Sequence, residues 1–76
     1  MWIKHRNTLY NSDNIISIEP CKYKIIATFV DGSKDTIGEF WTYEERKNIF
    51  RNITKSLTNN DPFIVIKDTR DGCKKL

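Results

Sequence analysis

The chain has 76 residues with 13 Lys and Arg against 10 Asp and Glu, a net charge of +3, which fits one small domain with a modest core. Four of the basic and two of the acidic residues sit in the last ten positions, so residues 1–66 are nearly neutral, whereas a protein living on phosphate backbones carries a basic body. Two distant cysteines, a single histidine and no CxxC leave no zinc ligand set.

Residues 2–6, WIKHR, predict a short strand with Ile3 and His5 on one side and Trp2 and Lys4 on the other. RNTLYNSDN is rich in Asn, Ser and Asp, which bond their own backbone, and predicts turns. NIISIEP predicts a strand with Ile16 and Ile18 on one face, ended or marked as an edge by Pro20. KYKIIATFV follows as the strongest strand, lining one face with Tyr23, Ile25, Ala27 and Phe29.

Asp31-Gly32 then predicts a hairpin with a type I′ turn, and SKDTIGEFW returns antiparallel. A two-residue loop pairs Tyr23 with Phe40, Ile26 with Ile37 and Lys24 with Glu39, three favourable pairs together. It also sets Gly38 opposite Ile25, a gap that suits a bulge or a close approach of the helix. The alternative is a three-residue loop ending at Gly32 with a bulge, which sets Ile25 opposite Ile37.

Thr42 and Glu45 have the spacing of a helix capping box. Tyr43, Ile49, Phe50, Ile53 and Leu57 fall on one arc of the helix that follows, with Arg46 inside it. Glu44 and Glu45 come first and Lys47, Arg51 and Lys55 later, the order the helix dipole favours. TNNDP ends the helix, and PFIVIKD predicts a last strand, apolar on both faces and hence interior or covered. The expected fold is α+β, an antiparallel sheet of about five strands in the order β-β-β-β-α-β with one helix on one face. Residues 1–67 form the expected domain, and 68–76 a basic, flexible tail. Ile26 and Ile37 on the uncovered sheet face favour a homodimer.

The segments LYNSDNIISI, IIATFVDGSKDTIGEF and YEERKNIF resemble a loose group of small proteins from low-G+C Gram-positive bacteria and their phages. The shared pattern falls here on Leu9, Asn11, Asp13, Ile15, Ile18, Asp31-Gly32, Ile37-Gly38-Glu39-Phe40 and Glu44-Glu45, spanning roughly residues 9–57. The resemblance implies a fold and a phage or prophage context, and no site residues. Trp41 and the basic tail lie outside the pattern.

Chemistry is thinly represented. His5 lies between Lys4 and Arg6 with no orienting acid nearby in sequence, and reads as a surface histidine on an edge strand. Cys21 has only Lys22 beside it as an electropositive neighbour, and reads as an inert thiol at a strand end. No glycine-rich phosphate loop is present. The apolar stretch Phe63 to Ile66 is far short of the ~20 residues of a membrane span, and the opening residues lack the apolar core of a signal peptide. The expectation is a cytoplasmic, non-enzymatic protein with Cys21 and Cys73 as free thiols, no cofactor and no membrane partner.

Lys47, Arg51 and Lys55 form one row on the solvent face of the helix, ~12 Å long. Such a row can meet an acidic partner or phosphates, though a solvated helix face with its cations toward the favourable end is the reading the sequence favours. Of the aromatics Phe40, Trp41 and Tyr43, strand alternation assigns Phe40 to Tyr23, and the helix arc claims Tyr43. Trp41 alone is left for a surface role, against a bland role covering the helix start. The candidate partner or anion-binding surface is therefore Trp41, Lys47, Arg51 and Lys55. The sequence favours a protein-binding regulator or inhibitor over a nucleic-acid or nucleotide binder that would use this row with Lys74 and Lys75.

Overall fold

The computed structural model of the chain describes residues 1–70. It contains strands β1 (Trp2–His5), β2 (Thr8–Asn11), β3 (Ile15–Cys21), β4 (Lys24–Phe29), β5 (Lys34–Glu39) and β6 (Phe63–Ile66), with helix α1 (Tyr43–Thr58) between the last two. The strands form two three-stranded sheets, ordered β2-β1-β6 and β3-β4-β5. The α+β class holds, but the single five-stranded antiparallel sheet does not.

The added strand, β2, lies inside the stretch that composition reads as turn. The reversal before it takes only Arg6 and Asn7, since His5 already pairs with Thr8 and Ile3 with Tyr10. Arg6 adopts φ 58 to make it, a left-handed conformation that costs a non-glycine residue about 1 kcal/mol. The true turn comes later, where the Asn11 side chain accepts the Asp13 N–H and starts a 3-10 turn, Ser12–Asn14. On the other side of β1 lies β6, running parallel with Ile3 opposite Ile64 and His5 opposite Ile66. A parallel neighbour needs a long connection, which the intervening chain supplies. β6 is thus an outer strand with Phe63 and Val65 exposed, not the interior strand its apolar faces predict. β1 is central in its sheet, so His5 is buried at 5% exposure, not on an edge or a surface.

Both expected registers of the β4–β5 hairpin occur, at opposite ends of the ladder. Near the turn Ile26 faces Thr36 and Ala27 faces Asp35; farther away Ile25 faces Gly38 and Lys24 faces Glu39. The turn is the three-residue form. Phe29 N–H donates to the Ser33 carbonyl at 2.8 Å and Gly32 N–H to the Phe29 carbonyl at 2.9 Å. Gly32 has φ 90 while Asp31 is not left-handed, so the type I′ turn is not formed. Asp31 instead accepts the Ser33 hydroxyl and N–H; the hydroxyl first, and then the N–H, hold its carboxyl below the ordinary value.

The register shift falls at Ile37 and turns its side chain inward. Ile37 is fully buried, so only half-buried Ile26 remains on the outer face, and the apolar surplus that favoured a homodimer shrinks. A Cβ on Gly38 would sit 2.9 Å from Cε2 and Cζ of Phe40. The Phe40 ring, not the helix, fills the gap the glycine leaves. Phe40 N–H donates to the Tyr23 carbonyl at 2.9 Å, but the rings part: Phe40 enters the core, while Tyr23 stacks on Tyr43 with centroids 4.5 Å apart.

β3 also slips register, between Ile15 and Ser17. Ile15 and Ile18 consequently pack on the core, and Ile16, expected to share the Ile18 face, stands 64% exposed. A single core joins the two sheets and the helix: Ile3, Ile25, Ala27, Ile37, Phe40, Ile53 and Ile66. Each large side chain there contributes about 1.5–3 kcal/mol of burial. Tyr10 ties β2 to the second sheet, stacking on Phe29 at 5.6 Å and donating its hydroxyl to Asp35 at 2.7 Å. Burial, and then the hydrogen bond and charge of Asp35, push its phenol up to about 12.

Candidate functional site

Helix α1 begins as its sequence dictates. Glu45 N–H donates to Thr42 Oγ1 at 3.1 Å, and Thr42 N–H donates to Glu45 Oε1 at 3.2 Å, closing the capping box. The same carboxylate accepts the Thr69 hydroxyl at 2.7 Å and the Trp41 N–H at 3.2 Å. The Thr69 bond, ahead of the bonds around Thr42 and Trp41, holds the Glu45 carboxyl below its ordinary value. The segment after β6 thereby lies against the helix start, and the Arg70 guanidinium covers the Trp41 ring at 5.2 Å. The backbone of this segment is tied too, with Thr69 and Arg70 N–H both donating to the Glu39 carbonyl. Residues 71–76, with Cys73, Lys74 and Lys75 of the expected tail, lie outside the described residues.

Burial along α1 is narrower than its apolar arc. Ile53 is fully buried and Ile49 and Phe50 half-buried, but Tyr43 and Leu57 are exposed. Tyr43 sits instead between the Tyr23 ring and Arg46, whose guanidinium is 5.6 Å from its centroid and donates to the Lys22 carbonyl at 2.8 Å. That contact sets the direction of the helix against β3. Arg46 thus ties the first turn of α1 to the residue that follows β3.

Beyond that contact β3 and α1 separate into an open groove of about 350 Å³. Its floor and walls are Ile15, Ile16 and Ile18 on the strand and Phe50, Ile53 and Leu57 on the helix, with Ser12, Ser17, Thr54 and Thr58 at the rim. Lys47, Arg51 and Lys55 are all exposed, and each lies three residues before a lining residue: Phe50, Thr54 and Thr58 respectively. Side chains three apart are neighbours on a helix surface, so the cationic row forms the helix-side rim of the groove. Among these, Arg51 also donates to Asn48 at 3.2 Å. Trp41, 64% exposed, is held at the helix start by Arg70 and Thr69 and lines no part of the groove. The structure therefore keeps three of the four candidate residues together, adds an apolar trough to them, and sets the fourth apart.

A cluster that sequence reasoning missed is centred on Asp68. Its carboxylate accepts the Glu39 N–H at 2.8 Å and Arg6 Nε at 2.7 Å, and meets His5 Nε2 at 2.9 and 3.0 Å. The His5 and Asp68 side chains are each 6% exposed. A His–Asp pair is the orienting half of a nucleophilic triad, but here the acid is spent on three donors and serves to clasp β6 to β1 and β5. Its signal was invisible in sequence because the partners stand 63 positions apart.

Cys21 is a free, exposed thiol on the outer face of the second sheet, in a shallow depression with Glu19, Lys34 and Asp35. Glu19 shares that face with Lys34 and with Lys24, the cross-strand partner of Cys21, while the Asp35 carboxylate is taken by Tyr10; the setting is of mixed charge, and no base bonds the thiol among the described residues. Among the described residues no three His, Cys, Asp or Glu gather as a metal site, and no helix is long and apolar enough to cross a membrane.

No protein family, curated protein or solved structure matches the chain. The class rests on the molecule itself: a small α+β domain, clasped at one end, with a cation-rimmed apolar groove between an outer strand and its helix.

Proposed function

We propose that the chain is a non-catalytic binding protein acting through protein–protein contact, as a regulator or inhibitor of the accessory kind that phages and prophages carry. The observation that carries this reading is the groove between β3 and α1, where Ile16 and Leu57 stay exposed beside Phe50 and the cationic row. Apolar side chains left open on so small a domain mark a contact surface when they are contiguous and rimmed by polar groups. The near-neutral body supports a protein over a nucleic acid, whose binding draws on many cations. The phage setting comes from the sequence resemblance alone.

Two measurements test it. A photo-crosslinking residue at position 16 should yield a protein adduct in cells that is lost when Leu57→Lys places a charge in the groove. Labelled DNA and RNA oligonucleotides should show no complex at about 150 mM salt, where loose phosphate contacts are already weakened. A complex that survives that salt and disappears with Lys47→Glu plus Arg51→Glu would replace this reading with nucleic-acid binding.

A further inference from the structure

Building on that reading, we infer that the groove receives an acidic amphipathic helix of the partner protein. A strand is the poorer occupant. β3 is the outer strand of its sheet, but its ladder is broken around Ile16 and Pro20 has no N–H to give. Both features blunt an edge against strand addition. The helix wall from Phe50 to Leu57 covers about two turns, ~10 Å. That is the length over which a docked helix presents apolar side chains at i, i+4 and i+7.

Charge decides the rest. Lys47, Arg51 and Lys55 recur every four residues along one rim, so carboxylates at the same spacing on a helix laid beside α1 meet them in turn. Glu44 precedes the row by one turn, and Asp13 lies beside Ser12 at the far end; Glu19 faces the opposite side of the sheet, in the depression with Cys21. The helix-side rim is therefore cationic over the whole apolar length. A second copy of this chain would bring the same cations to the same rim in a two-fold contact, which like charges oppose.

The test is selection of a random displayed library of peptides of about sixteen residues, four to five helical turns, against the full chain. Peptides that also bind Leu57→Lys are removed. The expected winners carry apolar residues at helical three-and-four spacing with Asp or Glu along one flank. A synthetic winner should bind Lys47→Glu plus Arg51→Glu at least about tenfold more weakly. Alternating apolar patterns, a basic consensus, equal binding to the charge-reversed variant, or no groove-dependent winner at all would each overturn the inference. Groove-dependent strand-like or basic winners would do so while leaving protein binding intact. A salt-resistant oligonucleotide complex would remove the underlying reading instead.

Discussion

Asp68→Ala should break the bonds from three donors at once, two of them part-buried. The Asp68 side chain is 6% exposed and accepts from the Glu39 N–H and from buried His5, together with Arg6. Removing a charged acceptor leaves each sequestered donor unsatisfied at about 1–3 kcal/mol, so the two together cost ~3–5 kcal/mol. Arg6 is 36% exposed, so its share is screened and adds little. A chain of this length has a total stability of roughly 4–11 kcal/mol, so the loss is a large fraction of the whole. With a urea dependence near 1 kcal/mol per molar for a small domain, the unfolding midpoint should fall by about 3 M or more. Equilibrium urea unfolding at neutral pH, followed by tryptophan fluorescence, measures it. Asp68→Asn keeps an acceptor for Glu39 and should fall between. A double-mutant cycle with His5→Phe should show coupling of at least about 1 kcal/mol. A midpoint shift under about 1 M for Asp68→Ala, or additive effects in the cycle, would mean the clasp holds little.

Gly38→Ala should destabilise by about 1–3 kcal/mol, because the new methyl meets the fully buried Phe40 ring at 2.9 Å; thermal unfolding of the variant checks it. Gly32→Ala meets no atom within 4 Å but keeps φ 90, so its cost should be the backbone term alone, about 1 kcal/mol. Glu45 and Asp31 are both held below their ordinary values, so their stabilisation is complete above those values and fades as pH falls through the folded ones. Thr69→Val, which removes the leading cause for Glu45, should flatten the acid limb of a stability–pH curve; an unchanged limb would contradict the assignment. Tyr10 is raised to about 12, so the stability it lends is complete below its ordinary value of 10.0 and is lost as pH climbs through the folded value. Ultraviolet titration should show one late phenol that disappears in Tyr10→Phe and titrates earlier in Asp35→Asn.

The elements that local chemistry dictates were legible. The capping box, the helix length, the shared side of Ile3 and His5 and the strand at Lys24–Phe29 follow from residues within a few positions of each other, whereas the burial of His5 does not. The errors share a cause. β2 was hidden because Asn7, Asn11, Ser12 and Asp13 mark turns so strongly that the four residues between Arg6–Asn7 and Ser12 look like part of them. Strict alternation pairs Ile16 with Ile18 and sets Ile37 on the outer face, and it fails at both because each hairpin ladder slips once. The parallel pairing of β6 with β1 depends on partners some sixty positions apart, which periodicity cannot report.

The candidate site shows the same division. The cationic row is a local helix pattern and survives intact, but its meaning depends on what lies beside it. Only the path of β3 supplies that, turning Ile15 and Ile18 to the core and leaving Ile16 on the opposite lip from Leu57. Had the register run without its slip, Ile16 and Ile18 would share one face and Ile15 would stand out. The trough would then lose its outer wall while Lys47, Arg51 and Lys55 stayed where they are. The groove is therefore a property of one irregularity in β3. A substitution that regularises that strand should remove the trough without touching any of the cations that rim it.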